Sequence, residues 1–171
     1  PETELARKLR EAARLVKARL GIEVIEVELG GWDTHQYQGG SDGALADLAG
    51  ELGGALAAFA ADLGDRLEDV LVLTLSDFGR TAAQNGTQGT DHGWASCLLA
   101  LGGPVRRGAS GRPVHADWPG LAPQALHEGR DLAHTIDFRD VMAEGVRVHL
   151  GNDAIDRVIP GREFRPPGLF S

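Results

Sequence analysis

Two long stretches of the chain repeat apolar residues every three or four positions, the spacing of one face of an α-helix. The first runs from Glu4 to Leu20 and the second from Gly43 to Leu63. A third, shorter stretch ends near Leu150 and can be capped by Thr135 or Asp137. The pattern therefore predicts three amphipathic helices separated by segments of different character.

Three other apolar runs are too short for helices and have the composition of β-strands. They cover Ile22–Leu29, Val70–Leu75 and Ser96–Leu101. The second is almost wholly apolar, which is typical of a strand covered by helices on both faces of a parallel sheet. Strands that alternate with helices predict an α/β fold, a mostly parallel sheet flanked by helices, with ligand sites beyond the carboxyl ends of the strands.

The size and composition of the chain fit one globular domain over residues 1–171, with 42% hydrophobic residues. The net charge of -8 argues against a nucleic-acid partner, because phosphate binding needs clustered Lys and Arg. No apolar stretch reaches the roughly 18 residues of a membrane span, so none is predicted. Cys97 is the single cysteine, which excludes an internal disulfide framework.

Polar loops follow the predicted strands and are expected to open on the same edge of the sheet. The loop GGWDTH occupies residues 30–35, SDFGRT residues 76–81, and GTDHG residues 89–93. Side chains two apart in an extended segment point the same way, so Asp33 and His35 are expected to face one point.

These loops carry Asp and His side chains suited to a divalent metal ion. Converging carboxylates repel one another unless a cation lies between them. Such an ion polarises a phosphoryl or sulfuryl oxygen, or lowers the pKa of a bound water. Arg80, the candidate catalytic residue, is predicted to hold an anionic small-molecule ester by paired N–H donors. The predicted ligands are Asp33, His35, Asp77, Asp91 and His92, and the candidate ions are zinc, manganese, calcium and magnesium.

Purely structural explanations stay open for each of these residues. An Asp after a strand often forms a turn or caps a helix. His92 can be a hydrogen-bonded loop histidine, and Arg80 can form a surface salt bridge. The chain has no Gly-rich phosphate loop ending in Lys-Ser or Lys-Thr, no dinucleotide fingerprint, no Gly-x-Ser-x-Gly turn and no paired-cysteine zinc motif, so nucleotide-dependent and Ser-His-Asp enzymes are disfavoured.

Five motifs, in this order, resemble the C-terminal part of the bacterial family called domain of unknown function 1501. They are the three loops above together with Asn85-Gly86 and the segment TIDFR at residues 135–139. The resemblance covers roughly Leu5 to Pro160, and the ordered set is more specific than any single motif. Members of this family look like sulfatase-related proteins of the alkaline phosphatase superfamily, which hydrolyse or transfer phosphate and sulfate esters at a one- or two-metal centre.

The resemblance implies an alkaline phosphatase-like fold, of which this chain would be the C-terminal portion. Asp77 matches a metal-binding Asp at a strand end, His92 matches a His from a later loop, and Asp33 with His35 would supply the remaining pair. Phe78 stands where that superfamily usually has another His ligand, which puts a full two-metal site in doubt. The nucleophile would lie upstream of residue 1, and an exported or periplasmic origin is implied.

Two functional hypotheses follow, together with a plainer reading. The first is a metal-dependent hydrolase of phosphate or sulfate esters. The alternative is a non-catalytic metal-binding or interaction module on the same scaffold, motivated by Phe78 and by the absent N-terminal half of the superfamily domain. In the plainer reading the polar loops are turns that bind no ion. A partial sheet would also leave an unpaired edge, so self-association is a further expectation.

Overall fold

The computed structural model describes residues 1–106 and 113–171, which form two compact units. Unit 1 contains Pro1–Leu67 and Thr81–His92, and unit 2 contains Glu68–Arg80 and Gly93–Ser171. The helices of the described residues are α1 (Glu4–Ala18), α2 (Ala44–Leu63), α3 (Phe138–Val148) and α4 (Ile155–Val158). The strands are β1 (Leu71–Leu73), β2 (Gly79–Arg80), β3 (His92–Gly93) and β4 (Ala100–Gly102), and 3-10 turns cover Gly64–Asp69 and Pro123–Ala125.

Unit 1 is built on α1 packed against α2. The Thr3 hydroxyl accepts a hydrogen bond from the Ala6 N–H and so caps α1 at its first turn. The helix ends at Arg19, which adopts the left-handed conformation with φ 53. Both helices lie where the apolar periodicity predicts them. Their buried side chains are Leu5, Ala6, Leu9, Ala12 and Ala13 on α1 and Ala55, Phe59 and Leu63 on α2.

The segment Ala44–Asp69 is long and apolar enough to cross a membrane by length and composition, with a mean hydropathy of 1.3. It is the one such helix within the described residues. Core helices of soluble proteins and signal sequences meet the same criterion, so a single helix of this kind does not establish a membrane span.

The prediction of a mostly parallel sheet flanked by helices is wrong. The strands of the described residues form two separate two-stranded sheets, β1 with β4 and β2 with β3. β1 pairs with β4 in antiparallel register, with Val72 opposite Leu101. The segment that joins β1 to β4 contains no helix. Without a helical crossover the chain can return antiparallel, and a parallel neighbour would have required one. The alkaline phosphatase-like architecture is therefore not the fold of this chain.

The segment Ile22–Leu29, predicted as a strand, pairs with no other strand among the described residues. Its apolar side chains are largely exposed, including Val24 at 73% and Ile22 at 47%. The alternation of Ile and Val with Glu gives the segment strand propensity, but within residues 1–106 and 113–171 no neighbouring backbone supplies the ladder hydrogen bonds that define a strand.

Unit 2 encloses a small core between β1, α3 and the end of the chain. Val141 of α3 packs with Leu169 and Phe170, and Leu71 and Leu73 of β1 pack against them. Phe170 is 2% exposed, and the Leu169 carbonyl accepts a hydrogen bond from the Arg106 N–H. The uniformly apolar character of β1 therefore reflects one helix and the C-terminal segment rather than helices on both faces of a sheet.

Acidic residues of α3 hold the C-terminal segment, defined here as residues 162–171. Asp140 accepts hydrogen bonds from the Arg162 guanidinium and the Arg165 N–H. Asp137 caps α3, and its carboxylate also accepts hydrogen bonds from the guanidinium groups of Arg139 and Arg162. The hydrogen bond from the Arg139 side chain is the main cause that holds the pKa of Asp137 well below its usual range.

Candidate metal centre

Three predicted ligands of unit 1 converge on one point. Asp33, His35 and His92 each offer one ligand atom, and these atoms lie within 4.8 Å of one another. The Asp33 Oδ1 atom lies 3.0 Å from His35 Nε2 and 2.8 Å from His92 Nε2. The two imidazole rings are stacked, with centroids 5.0 Å apart. Residues separated by almost sixty positions in sequence therefore present a carboxylate and two imidazoles to a common space.

A pair of tight turns gives Asp33 and His35 their shared direction. The Thr34 N–H donates to the Trp32 carbonyl and the His35 N–H donates to the Asp33 carbonyl, each spanning only two residues. The sequence predicts that these two side chains face one point from an extended strand end, whereas the local backbone forms two tight turns. Thr34 between them is buried, at 8% exposure, and donates its hydroxyl hydrogen to Gln38.

Gln38 joins the two loops that carry the ligands. Its side-chain Oε1 accepts hydrogen bonds from the hydroxyls of Thr34 and Thr90, at 2.8 and 2.7 Å. Its backbone carbonyl accepts from the Leu45 N–H at the start of α2. One residue therefore connects the loop of Asp33, the loop of His92 and the first turn of a packed helix. A Gln in the stretch Gln36-Tyr37-Gln38-Gly39 carries no sequence signal of such a role.

Asn85 provides a second connection within unit 1. Its side-chain N–H₂ donates to the His35 carbonyl and to Asp91 Oδ1, both at 3.0 Å. Its Oδ1 accepts from the N–H groups of Thr87 and Gly89. Asn85 belongs to one of the five motifs, yet neither residue type nor spacing assigns it a function.

Gly89 is required by the close approach of the two loops. A Cβ atom at this position would lie 2.3 Å from the backbone carbonyl carbon of His35, a distance that real Cβ atoms do not reach. The Gln36–Gln88 bridge and the hydrogen bond from the Thr90 N–H to the Thr34 carbonyl lie on either side of this contact. The glycine therefore lets the His92 loop lie against the backbone of the His35 loop.

The donor set fits a divalent transition metal. Ligand atoms held about 2.0–2.1 Å from zinc lie about 3–3.5 Å from each other, and the two Asp33 distances are close to that range. Two imidazoles and one carboxylate favour zinc over calcium or magnesium, which take mainly oxygen ligands. All three side chains are half-exposed, so water and a small substrate can reach the site.

The remaining predicted residues divide between the two units. Asp91 lies in unit 1, and its Oδ1 atom is 2.9 Å from His35 Nδ1. This ring nitrogen faces away from the three converging ligand atoms of Asp33, His35 and His92, which are called the three-atom group below. Asp77 and Arg80 lie in unit 2, and their part in the site stays a prediction. Arg80 places its guanidinium 4.8 Å from the centre of the Phe78 ring. The Phe78 ring therefore contacts the side chain predicted to bind an anion.

Two of the histidines without a predicted role cluster around Trp94 in unit 2. The Trp94 indole N–H donates to His134 Nδ1 at 2.7 Å, and the His127 ring stacks on the indole with centroids 4.7 Å apart. Both histidines therefore contact Trp94, and these contacts explain their positions without a bound metal ion.

The sequence matches the family described as protein of unknown function (DUF1501) over residues 4–159. The match covers most of the chain, so the protein belongs to this family. Comparison with curated proteins and with solved structures gave no significant match.

Proposed function

We propose that this protein is a metal-dependent hydrolase of phosphate or sulfate esters, with Asp33, His35 and His92 as metal ligands. The convergence of these three side chains from two loops is the observation that carries the proposal. Three protein ligands leave coordination positions for water and substrate, the arrangement typical of catalytic rather than structural zinc.

Each residue has a distinct task in this proposal. A bound divalent ion would supply a water of lowered pKa and an electrophile for an ester oxygen. Asp33 neutralises part of the positive charge and lies against both imidazoles, which fixes their spacing. The two histidines present imidazole nitrogens at a half-exposed surface, where an anionic small molecule can approach.

The choice of phosphate or sulfate esters rests on the resemblance of the ordered motifs to sulfatase-related proteins of the alkaline phosphatase superfamily. Arg80 is proposed to bind the ester oxygens, and Asp77 to complete the ligand set, as the loop SDFGRT suggests. An exported location is proposed on the same ground. The sheet of that superfamily is not part of this support, because the described strands are short and antiparallel.

Hydrolysis of p-nitrophenyl phosphate and p-nitrophenyl sulfate tests the activity. Chelator-treated protein is assayed before and after addition of zinc or manganese, alongside His92→Ala and the control His115→Ala, whose histidine contacts the Arg106 carbonyl instead. We expect turnover that requires the metal, is lost in His92→Ala and is retained in His115→Ala. Equal turnover in all three proteins, or none with either ester and either metal, would reject the hydrolase.

The alternative is a non-catalytic metal-binding module, and the Phe78–Arg80 contact is the observation that favours it, since an aromatic ring replaces a ligand. Under this alternative the metal binds through the same three residues, but neither ester is hydrolysed. Stoichiometric metal without turnover would therefore select the module over the enzyme.

A further inference from the structure

We infer that Asp91 is a positioning residue that orients His35 and is itself held by Asn85, and that it is not a further metal ligand. This inference rests on the proposed metal site. It separates Asp91, which acts through another residue, from Asp33, His35 and His92, whose ligand atoms converge.

The two nitrogens of His35 have different surroundings. Nε2 lies 3.0 Å from Asp33 Oδ1 and belongs to the group of three converging ligand atoms. Nδ1 lies 2.9 Å from Asp91 Oδ1 on the other edge of the ring. A metal-bound imidazole uses one nitrogen for the ion and commonly donates the other N–H to a carboxylate, which fixes its tautomer and orientation. Asp91 occupies the position of that carboxylate.

Asp91 is held where this role requires it. Its Oδ1 also accepts a hydrogen bond from the Asn85 side chain at 3.0 Å. The backbone on either side of its Cα is fixed by Thr81, whose N–H donates to the Asp91 carbonyl and whose hydroxyl accepts from the Asp91 N–H. If the Asp91 carboxylate turned toward the three-atom group, its Oδ1 would lose the hydrogen bonds to His35 Nδ1 and to the Asn85 side chain.

The orientation of the Asn85 amide follows from its other partners. Its Oδ1 lies 3.0 Å from the N–H groups of Thr87 and Gly89, which can only donate. The amide nitrogen must therefore face His35 and Asp91, and it donates both to the His35 carbonyl and to Asp91 Oδ1. Asn85 thus fixes the backbone of His35 directly and the ring of His35 through Asp91.

Zinc titration and nitrogen NMR of histidine-labelled full-chain protein test the assignment. The variants are Asp91→Ala and Asn85→Asp, with Asp47→Asn as a control carboxylate on α2. Loss of a residue that orients a ligand lowers metal affinity by about 10–100-fold. We therefore expect Asp91→Ala to bind one zinc per chain with about 10–100-fold lower affinity. In the zinc-loaded wild type, His35 should be ligated through Nε2 and protonated at Nδ1.

Asn85→Asp places a second carboxylate against Asp91 and should weaken zinc binding in the same direction, while Asp47→Asn should match the wild type. Abolition of zinc binding in Asp91→Ala as complete as in His92→Ala, with the Nδ1–H signal of His35 retained, would overturn the inference and make Asp91 a ligand. An affinity within about twofold of the wild type would remove its role altogether.

A measurement on metal-free protein keeps this inference apart from the proposed function. We expect a slowly exchanging Nδ1–H signal of His35 in the metal-free wild type and its loss in Asp91→Ala. If that signal is present but the wild type binds no zinc, the proposed function is rejected, while the hydrogen bond between His35 Nδ1 and Asp91 is supported. If the signal is absent from both proteins, the positioning role is refuted whether or not zinc binds.

Discussion

Replacement of Glu144 by Ala should destabilise unit 2 more than any surface substitution. Glu144 is buried on α3, and its two oxygens accept hydrogen bonds from the N–H groups of Gly168 and Phe170, at 3.0 and 3.1 Å. Alanine removes the acceptor of both donors, but only the Phe170 N–H is buried, because Gly168 is exposed and its N–H can bond to water. One buried unsatisfied donor costs about 1–3 kcal/mol, which is the predicted loss. That is an appreciable part of the roughly 5–15 kcal/mol that stabilises a typical domain.

Guanidinium denaturation and amide hydrogen exchange measure this loss. Glu144→Gln keeps one acceptor oxygen for the buried Phe170 N–H and should lose less stability than Glu144→Ala. The control Glu163→Ala removes a carboxylate from the exposed surface of the same C-terminal segment and should change the unfolding free energy by less than about 0.5 kcal/mol. The Phe170 amide should exchange faster in Glu144→Ala, because its acceptor is gone. An unfolding free energy and a Phe170 exchange rate equal to those of the wild type would refute this reasoning.

Three further predictions concern acid stability, loop contact and the unpaired segment. Arg139 lowers the pKa of Asp137 from its usual 3.8, so stability contributed by this carboxylate is present above that pH and is lost as the pH falls. Between about pH 6 and about pH 2 the wild type should therefore lose more stability than Asp137→Asn, and parallel losses in urea denaturation would contradict this. Gly89→Ala should force the loops apart, cost about 1–3 kcal/mol and weaken zinc binding at least tenfold; unchanged values in calorimetry and zinc titration would contradict the close approach. Val24→Lys should change stability by less than about 0.5 kcal/mol and reduce self-association in analytical ultracentrifugation, whereas a loss of several kcal/mol would show that the segment is packed.

The helices and the residues of the candidate metal site were predictable from the sequence, because each leaves a pattern there. Apolar spacing marks α1 and α2, and only the bounds differ by one or two residues. Asp33 and His35 follow an apolar run at a spacing of two, and His92 lies in a Gly-bounded loop. Asp and His residues in loops bounded by glycines can be recognised from the sequence alone.

The sheet and the supporting contacts were not predictable, for physical reasons. The apolar run at Leu71–Leu73 indicates that the strand is covered but does not indicate which residues cover it. One of them is Phe170, almost a hundred residues away in the sequence. Strand direction depends on the path of the intervening chain, which hydrophobic periodicity does not specify. Asn85 acts through side-chain hydrogen bonds to residues fifty positions distant, and an Asn-Gly pair reads locally as no more than a turn.

Calorimetric titration of zinc and manganese into chelator-treated protein tests the central claim most directly. We expect one bound ion per chain in the wild type and in the control His115→Ala. We expect no specific binding in a variant that combines Asp33→Ala, His35→Ala and His92→Ala, provided that circular dichroism shows the helices intact. A wild type that binds neither ion, or a triple variant that binds as tightly as the wild type, would contradict a metal centre at these three residues.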